Sequence, residues 1–534
     1  MITRRNFMRQ SLQAAVGTTL LTPAFNACTS EHIITGKVIG PNAALGHRLR
    51  DMKFESPTQS KSTDVLIVGG GVAALSAARV LKQNNVSFHL LELGTEAGGN
   101  SVAGKNHVTA YPWGAHYLPL PNHNDPELIA FLKEAGVIIG EANGLPVFQD
   151  YYLCFDPKER LYINNFWQDS LLPHEGISLA EREEIDRFTT LMHEYKIMKG
   201  RDGKDAFTIP IAMSSQDDVF LALDKISMHT FLIQHDFHSE ALHWYVDYCC
   251  ADDFGATSRD VSAWAGIHYF ASRKGRAANA SDDTLLTWPE GNNFLVKKLQ
   301  AYCQDEIETN ALVYGITIKD DGVEVLFFDA KENRTVSYHA RQVILATPQY
   351  INNRIFPQGK TVSQSFQYAP WMIANITIGS SLSERKGEQI AWDNVIFGSQ
   401  SLGYVNASHQ YVGIATAEKV LTYYYPLTGS DTTSERRRAY ERGYDDWKEI
   451  ILKDLSKAHP NIAKEITNID IWIWGHGMIR PAPGLIWGQE IREVAASVDQ
   501  KIFKAHSDLS GISIFEEAFY QGHQAAKLCL KHRP

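Results

Sequence analysis

The residues of clearest chemical meaning are three small ones and an acid: Gly69, Gly71, Ala74 and Glu92. Asp64-Val65-Leu66-Ile67-Val68 is a short apolar run of buried-strand type. It meets Gly69-Gly70-Gly71-Val72-Ala73-Ala74, and a helical pattern follows from Leu75 to Leu81. A glycine-rich loop between strand and helix can cradle a phosphate. Gly69 permits the tight turn, Gly71 lets the backbone approach a pyrophosphate, and Ala74 permits close packing of helix on sheet, with the helix N-terminus facing the phosphate charge. A second apolar run, Ser87 to Leu93, carries Glu92 about twenty residues beyond the glycines, where a carboxylate accepts the hydroxyls of an adenosine ribose. An acid there disfavours a 2′-phosphate. NAD and FAD both fit these residues taken alone.

The N-terminus carries an address. Thr3-Arg4-Arg5-Asn6-Phe7-Met8-Arg9 has the form of a twin-arginine export motif, and the apolar stretch behind it, Ala14 to Phe25, is too short and too polar for a membrane anchor. The expected partner is the twin-arginine export machinery, which carries folded cargo, and the expected location is the periplasm. Phe25-Asn26-Ala27-Cys28 offers a lipoprotein cleavage site of poor match, with Cys28 as the residue that acylation would tether to a membrane.

Composition narrows the rest. With 534 residues and 44% hydrophobic content the chain can bury a large core, and two interleaved domains are expected. A formal net charge of −10 argues against nucleic acid. Six irregularly spaced cysteines encode neither a disulfide framework nor a zinc site. The twenty histidines, including His229, His235, His238 and His243, show no matched ligand spacing, so no metal is expected. Asp252-Asp253 could pair as acid and base, but helix capping or a solvated loop is the expected role. Tyr423, Tyr424 and Tyr425 are consecutive, so at most two can reach one pocket.

Residues 29–60 read as an irregular arm. From Asn122 to about Ser281 the pattern is mainly helical, with apolar spacings of three and four over Pro126 to Ala135, Ser178 to Met198, Gln216 to Gln234 and Ser239 to Tyr248. A turn at Leu286 to Asn293, a helix to Tyr302, and a hairpin of Leu312 to Ile318 with Val323 to Phe328 about Asp320-Asp321-Gly322 follow. Gln342 to Pro348 is a further buried strand ending in a turn.

Set in this order, the blocks resemble the flavin-containing amine oxidase superfamily, which includes desaturase-like members, over nearly everything after residue 60. Glu96-Ala97-Gly98-Gly99-Asn100-Ser101 is similar to the Gly-Gly turn that such flavoproteins place against FAD. Trp288-Pro289-Glu290-Gly291-Asn292 looks like the turn before the second FAD helix, and Ile307 to Val325 like the strand pair in which a valine, here Val313, meets adenine. The block from Ala505 to Ala526 resembles the C-terminal one. The resemblance implies non-covalent FAD, held by Gly69, Gly71, Ala74, Glu92, Gly98, Gly99, Asn100, Val313, Asp508, Ile514, Phe515 and Ala518. Asp508 would contact the ribityl and pyrophosphate region. The following helix would point its N-terminus at the flavin pyrimidine, where negative charge gathers on reduction.

The implied fold is α/β, of the α+β kind: a Rossmann-like FAD-binding domain (61–121, 286–350 and 485–534) interleaved with a mixed helix-and-sheet substrate domain (122–285 and 351–484), behind a signal peptide (1–28). His506 and Glu517 stand where many members have glycine, and Trp371 to Ile376 lacks the lysine that holds a water near flavin N5, which puts oxygen reactivity in doubt. By the same resemblance Trp113 and His116 pass near the flavin, and Trp472 and Trp474 wall the cavity above it. The implied activity is hydride removal from a small organic substrate, most simply an amine, polyamines included, giving an imine. Desaturation or isomerisation of an apolar isoprenoid-like substrate is the second reading, and a flavin-binding assembly factor without turnover the third. No catalytic acid or base is assigned.

Overall fold

In the computed structural model, residues 32–51, 53–359, 365–379, 382–411 and 417–533 are described. The twin-arginine motif and Cys28 lie outside them. Two large sheets organise the chain. The first has seven strands, in the order Ile307–Thr309, Phe88–Glu92, Gln59–Val68, Arg334–Leu345, Gly322–Asp329 and Ala311–Lys319, with Ile502–Lys504 also joined to Arg334–Leu345. Its centre is parallel: Gln59–Val68 pairs with Phe88–Glu92 on one side and with Arg334–Leu345 on the other. Val65, Leu66, Ile67 and Leu345 are fully buried, as a central strand covered on both faces requires.

Helix Val72–Gln83 covers one face of this sheet and is itself crossed by helix Phe515–Lys531. The crossing is close. The Ser76 hydroxyl donates to the Phe519 carbonyl at 2.8 Å, and a Cβ on Gly522 would lie 1.9 Å from the Ala73 carbonyl oxygen. The two ends of the sequence thereby share one core, with Ala74, Leu75, Ala525 and Ala526 buried together.

The second sheet has eight strands: Thr35–Ile39, Ile466–Ile479, Tyr368–Ile378, Lys419–Pro426, Tyr404–Asn406, Asp393–Ile396, Glu159–Ile163 and Phe166–Asp169. A helical layer of Leu179–Ile197, Met228–Gln234, Glu240–Phe254 and Ala263–Ala271 packs about Phe188, Phe207, Phe231 and Trp264. The expected helix from Gln216 to Gln234 is broken. Its C-terminal part restarts at Met228, where Ser227 caps the Thr230 N–H and the Ile226 carbonyl is taken by Ala263. The helix expected to end at Tyr248 runs on to Phe254, where Gly255 in the left-handed conformation ends it.

The segment 29–60 also departs from expectation. Thr35–Ile39 is an edge strand, parallel to Ile466–Ile479 with Thr35 opposite Asn468, and Ala43–Asp51 is a helix that buries Leu45 and Leu49. The strand is five residues long and mostly exposed, and the helix is too short for its period to stand out, so neither shows in an apolar pattern. Glu159–Ile163 and Phe166–Asp169 likewise lie within the stretch expected to be mainly helical.

Candidate functional site

The loop after strand Gln59–Val68 is built for close approach. Gly69 has φ +102°, and a Cβ there would sit 2.7 Å from the Ala346 carbonyl oxygen, so the turn admits only glycine. Gly71 begins helix Val72–Gln83 without any side-chain cap, which leaves first-turn N–H groups for a ligand. The nearest atom to a Cβ on Gly71 would be the Gly99 Cα, at 3.9 Å. Gly98 and Gly99 both have positive φ, and the Gly98 N–H donates to the Gly70 carbonyl at 2.7 Å, tying the second glycine turn to the first. Glu92 ends the adjacent strand with its carboxylate against the loop, accepting the Gly94 N–H at 2.6 Å. Burial pushes the Glu92 carboxyl above its usual range, against the N–H groups of Gly94 and Gly70. A narrow glycine cradle at an uncapped helix start with an acid beside it fits the diphosphate and ribose of a dinucleotide.

The other expected residues surround this crevice. Asn100 donates through Nδ2 to the Gly477 carbonyl, and its own carbonyl accepts the Ala115 N–H at 3.0 Å, so it fixes the backbone of the loop Trp113–Tyr117. Val313 is buried at an irregularity in the pairing of Ala311–Lys319 with Gly322–Asp329. Ala74 is buried where the helices pack. Ile514 caps helix Phe515–Lys531 with no side-chain acceptor, while Phe515 is buried and Ala518 packs against the same core. Asp508 is buried and accepts from the Gln349 N–H at 2.8 Å and the Tyr368 hydroxyl at 2.5 Å, with His506 Nδ1 3.1 Å away. Burial would raise its pKa, but His506, Tyr368 and the Gln349 N–H outweigh burial and hold the carboxyl below its usual range. Glu517 turns towards protein: it accepts the Ile211 N–H at 2.6 Å and the Ser510 hydroxyl at 2.5 Å. A side chain in place of glycine is thus accommodated as a bridge to the helical layer.

Beside the loop Trp113–Tyr117 opens a cleft of about 280 Å³. His116, Tyr117, Tyr248, Tyr269, Phe270 and Trp392 supply its aromatic wall, and Glu159, Asp252, Asp393 and Arg273 its charge, with Lys196, Asp282 and Asp283 also on the lining. His116 lies 4.5 Å from Tyr424 and 5.5 Å from Trp392 between ring centroids. Burial drops its pKa to about 4, so the ring is neutral at ordinary pH. Of the three consecutive tyrosines only Tyr424 faces this side, donating to the Gly114 carbonyl at 3.0 Å. Tyr423 faces away, to Asp454.

Trp113, Trp472 and Trp474 are not on the cleft's lining. Trp472 lies 5.3 Å from both Trp113 and Trp474, and the Trp474 indole N–H donates to the Trp113 carbonyl at 2.5 Å. Two of these three are alternate residues of one strand, and the stack braces the backbone that leads to Gly114.

The acids were the less legible part. Asp252 and Asp253 are neither helix caps nor solvated. They occupy the last turn of helix Glu240–Phe254, where the helix dipole opposes negative charge, and both are pushed up by burial. Asp253 is paired with Arg273 at 2.9 and 3.0 Å. Asp252 is raised to about 7, by burial first and then by Asp253. Asp393 stands directly opposite Glu159 in the parallel pairing of their strands, an arrangement that like charges disfavour. Burial, with Asp252 and Glu159 nearby, raises Asp393 well above its usual range. Asp252, Asp393 and Glu159 form no ion pair with any described residue, and burial pushes all three up, so the cleft holds acids that a bound cation would draw into the charged form.

A family model described as an NAD(P)-binding Rossmann-like domain matches residues 67–135. The chain is 24% identical over 315 residues to the flavin-containing amine oxidase of Oncorhynchus mykiss, covering 55% of this chain and 52% of that protein. It is 23% identical over 300 residues to the L-amino acid dehydrogenase of Synechocystis sp. (strain ATCC 27184 / PCC 6803 / Kazusa), covering 55% and 58%. The chain thus spans little more than half the length of these curated relatives. Among solved structures, putrescine oxidase with putrescine bound superposes with a TM-score of 0.62 at 16% identity, covering 88% of this chain and 100% of that one. The fold is accordingly a mixed α/β architecture with a Rossmann-like dinucleotide-binding domain, shared with that oxidase.

Proposed function

We propose that the protein is an FAD-dependent oxidoreductase that removes a hydride from an amine, with diamines and polyamines as the preferred substrates. The observation that carries this reading is the group of three acids without an ion-pair partner, Glu159, Asp252 and Asp393, in an aromatic cleft adjoining the loop that Asn100 ties to the glycine turns. Amine-oxidising relatives and a putrescine-binding neighbour of the same fold support it. FAD, when bound, would accept the hydride, held by Gly71, Gly99 and Glu92.

The chain's own part is binding and proton handling. Asp393, which burial holds towards its neutral form until a cation arrives, and Glu159 would hold an ammonium against Trp392 and Tyr248, where charge attraction and ring faces act together. Asp252, with a pKa raised to about 7, would take the proton that an amine must lose before hydride removal. Neutral His116 lines the cleft without repelling the cation. An apolar isoprenoid-like substrate would have to cover the same three acids, which disfavours the desaturase reading.

The test is anaerobic reduction of the flavin by putrescine or spermidine as a function of pH. Below about pH 7 Asp252 is neutral and attracts no cation, so the reduction rate at low substrate should rise through an ionisation near 7 and again as the amine itself deprotonates. A flat profile, or no bleaching by any amine, would end the amine reading.

Export by the twin-arginine route belongs to the same proposal, because a flavoprotein of this kind acquires FAD in the cytoplasm. Lysine at positions 4 and 5 keeps the charge but removes the guanidinium forks, so Arg4→Lys/Arg5→Lys should leave the flavin-loaded protein in the cytoplasm. Undiminished export of that variant would show the motif to be accidental. Soluble periplasmic residence is the proposed end state, and acylation of Cys28 is tested by membrane association of Cys28→Ala.

A further inference from the structure

Helix Ala43–Asp51 precedes the first strand of the dinucleotide-binding unit, yet it packs over the end of that unit where ligands bind. Leu45 and Leu49 are buried in one cluster with Val68, Leu91 and Val313, of which Val68 and Leu91 stand at the carboxyl ends of the strands that frame the crevice. A Cβ on Gly46 would come within 3.4 Å of Leu93, the residue after Glu92. By helical spacing, Ala43, His47 and Arg50 continue the Gly46 side of the helix, whereas Arg48 points the other way, over the Phe328 ring at 3.9 Å. The face next to the crevice is therefore small at Ala43 and Gly46 and basic at His47 and Arg50.

This basic face meets others. His476 stacks on Tyr350 at 4.1 Å, and Tyr350 follows Gln349, whose N–H binds Asp508. Arg354 belongs to the same helix as Tyr350, and Arg436 donates to the Gly475 carbonyl beside His476 at 2.7 Å. His476 is pushed down to about 3 by burial and then by Arg436, His47, Arg50 and Arg354, so four further cationic or basic groups converge on it. Among the described residues none of these four forms an ion pair with a carboxylate within 4.0 Å. Three arginines gathered beside a crevice without carboxylate partners present a positive field suited to an anion.

We propose that helix Ala43–Asp51 is the outer wall of the dinucleotide crevice, its small face lying against the adenosine and its Arg50, with Arg354 and Arg436, balancing the diphosphate of the cofactor. The inference rests on the FAD reading above. It assigns the cofactor's anionic part to residues outside the glycine loop, and it makes the segment before the first Rossmann strand part of the binding site.

The test is binding of FAD, ADP and riboflavin to the apoprotein, followed by flavin fluorescence or by competition with FAD. Arg50 and Arg354 are exposed, so Arg50→Ala/Arg354→Ala should fold with an unchanged melting temperature. This variant should weaken FAD and ADP by roughly tenfold or more and flatten their salt dependence, while riboflavin, which has no phosphate, binds as to the unaltered protein. Gly46→Phe should weaken FAD and ADP by thickening the wall. Unchanged FAD and ADP constants in both variants would overturn the proposal. Failure of the unaltered protein to bind FAD at all would overturn the FAD reading and this inference together. Loss of FAD in Glu92→Ala, with unaffected helix variants, would overturn this inference alone.

Discussion

Protein carrying Gly71→Val should purify colourless. A valine at the N-cap of helix Val72–Gln83 would project towards Gly99, into the narrow space between the two glycine turns, and a diphosphate cannot share that space with an isopropyl group. Glu92→Ala should act by a different route with a similar outcome. A buried carboxylate accepting two ribose hydroxyls makes two charge-assisted hydrogen bonds of about 1.5 kcal/mol each, so about 3 kcal/mol, or roughly 150-fold in affinity, is lost. The measurement is the ratio of flavin to protein absorbance after purification, then titration with FAD. Normal flavin content in both variants would remove the cofactor assignment and everything built on it.

Asp252→Asn/Asp393→Asn should lower kcat/KM for a diamine by about 10²–10³-fold, because removing one side of a buried charge pair costs about 2–5 kcal/mol. Flavin content should not change, since neither residue borders the glycine turns. Stability should move the opposite way. Both carboxyls are raised above their ordinary values, so the folded protein holds protons more tightly than the unfolded chain does, and each contributes a penalty that grows as pH rises through its folded pKa. The asparagine variant should therefore melt higher than the parent at pH 8 and lose that advantage below the ordinary carboxylate range near 4, as thermal unfolding at several pH values will show. A cationic ligand should stabilise the parent far more at pH 8 than at pH 5. A variant that is both less stable and fully active would place these acids in the scaffold.

The difference between these two experiments reflects how each site is written in the chain. The phosphate loop is contiguous: strand, glycines, helix, second strand and Glu92 follow one another, so period and spacing expose the crevice before any tertiary contact is known. The acid cleft has no such local signature. Asp252 and Asp253 are adjacent and visible, but in isolation two acids near a glycine resemble any helix end. Their surroundings arise because Asp393 is set opposite Glu159 by strand pairing, and because Arg273, from beyond the next helix, returns to Asp253. The tryptophans show the converse problem. Trp472 and Trp474 alternate along one strand, and their stacking depends on Trp113, which stands far away in the chain. Segment 29–60 was hidden for a third reason. Thr35–Ile39 owes its conformation to backbone pairing with a distant strand, and its side chains carry little trace of it.

That edge strand bears on the order in which the molecule can be finished. Its partner, Ile466–Ile479, is made far later in synthesis, and the Thr35 hydroxyl finds Asn468 Oδ1 at 3.0 Å across 433 positions. Until then the first strand has nothing to join, and the later strand, once formed, has a bare row of peptide groups open to other chains. Closing so long a loop is slow compared with forming the helices between. The hydrogen bonds of this edge pair are thus a record that the protein between residues 35 and 468 has been made and gathered in. A paired Thr35 reports a placed Asn468.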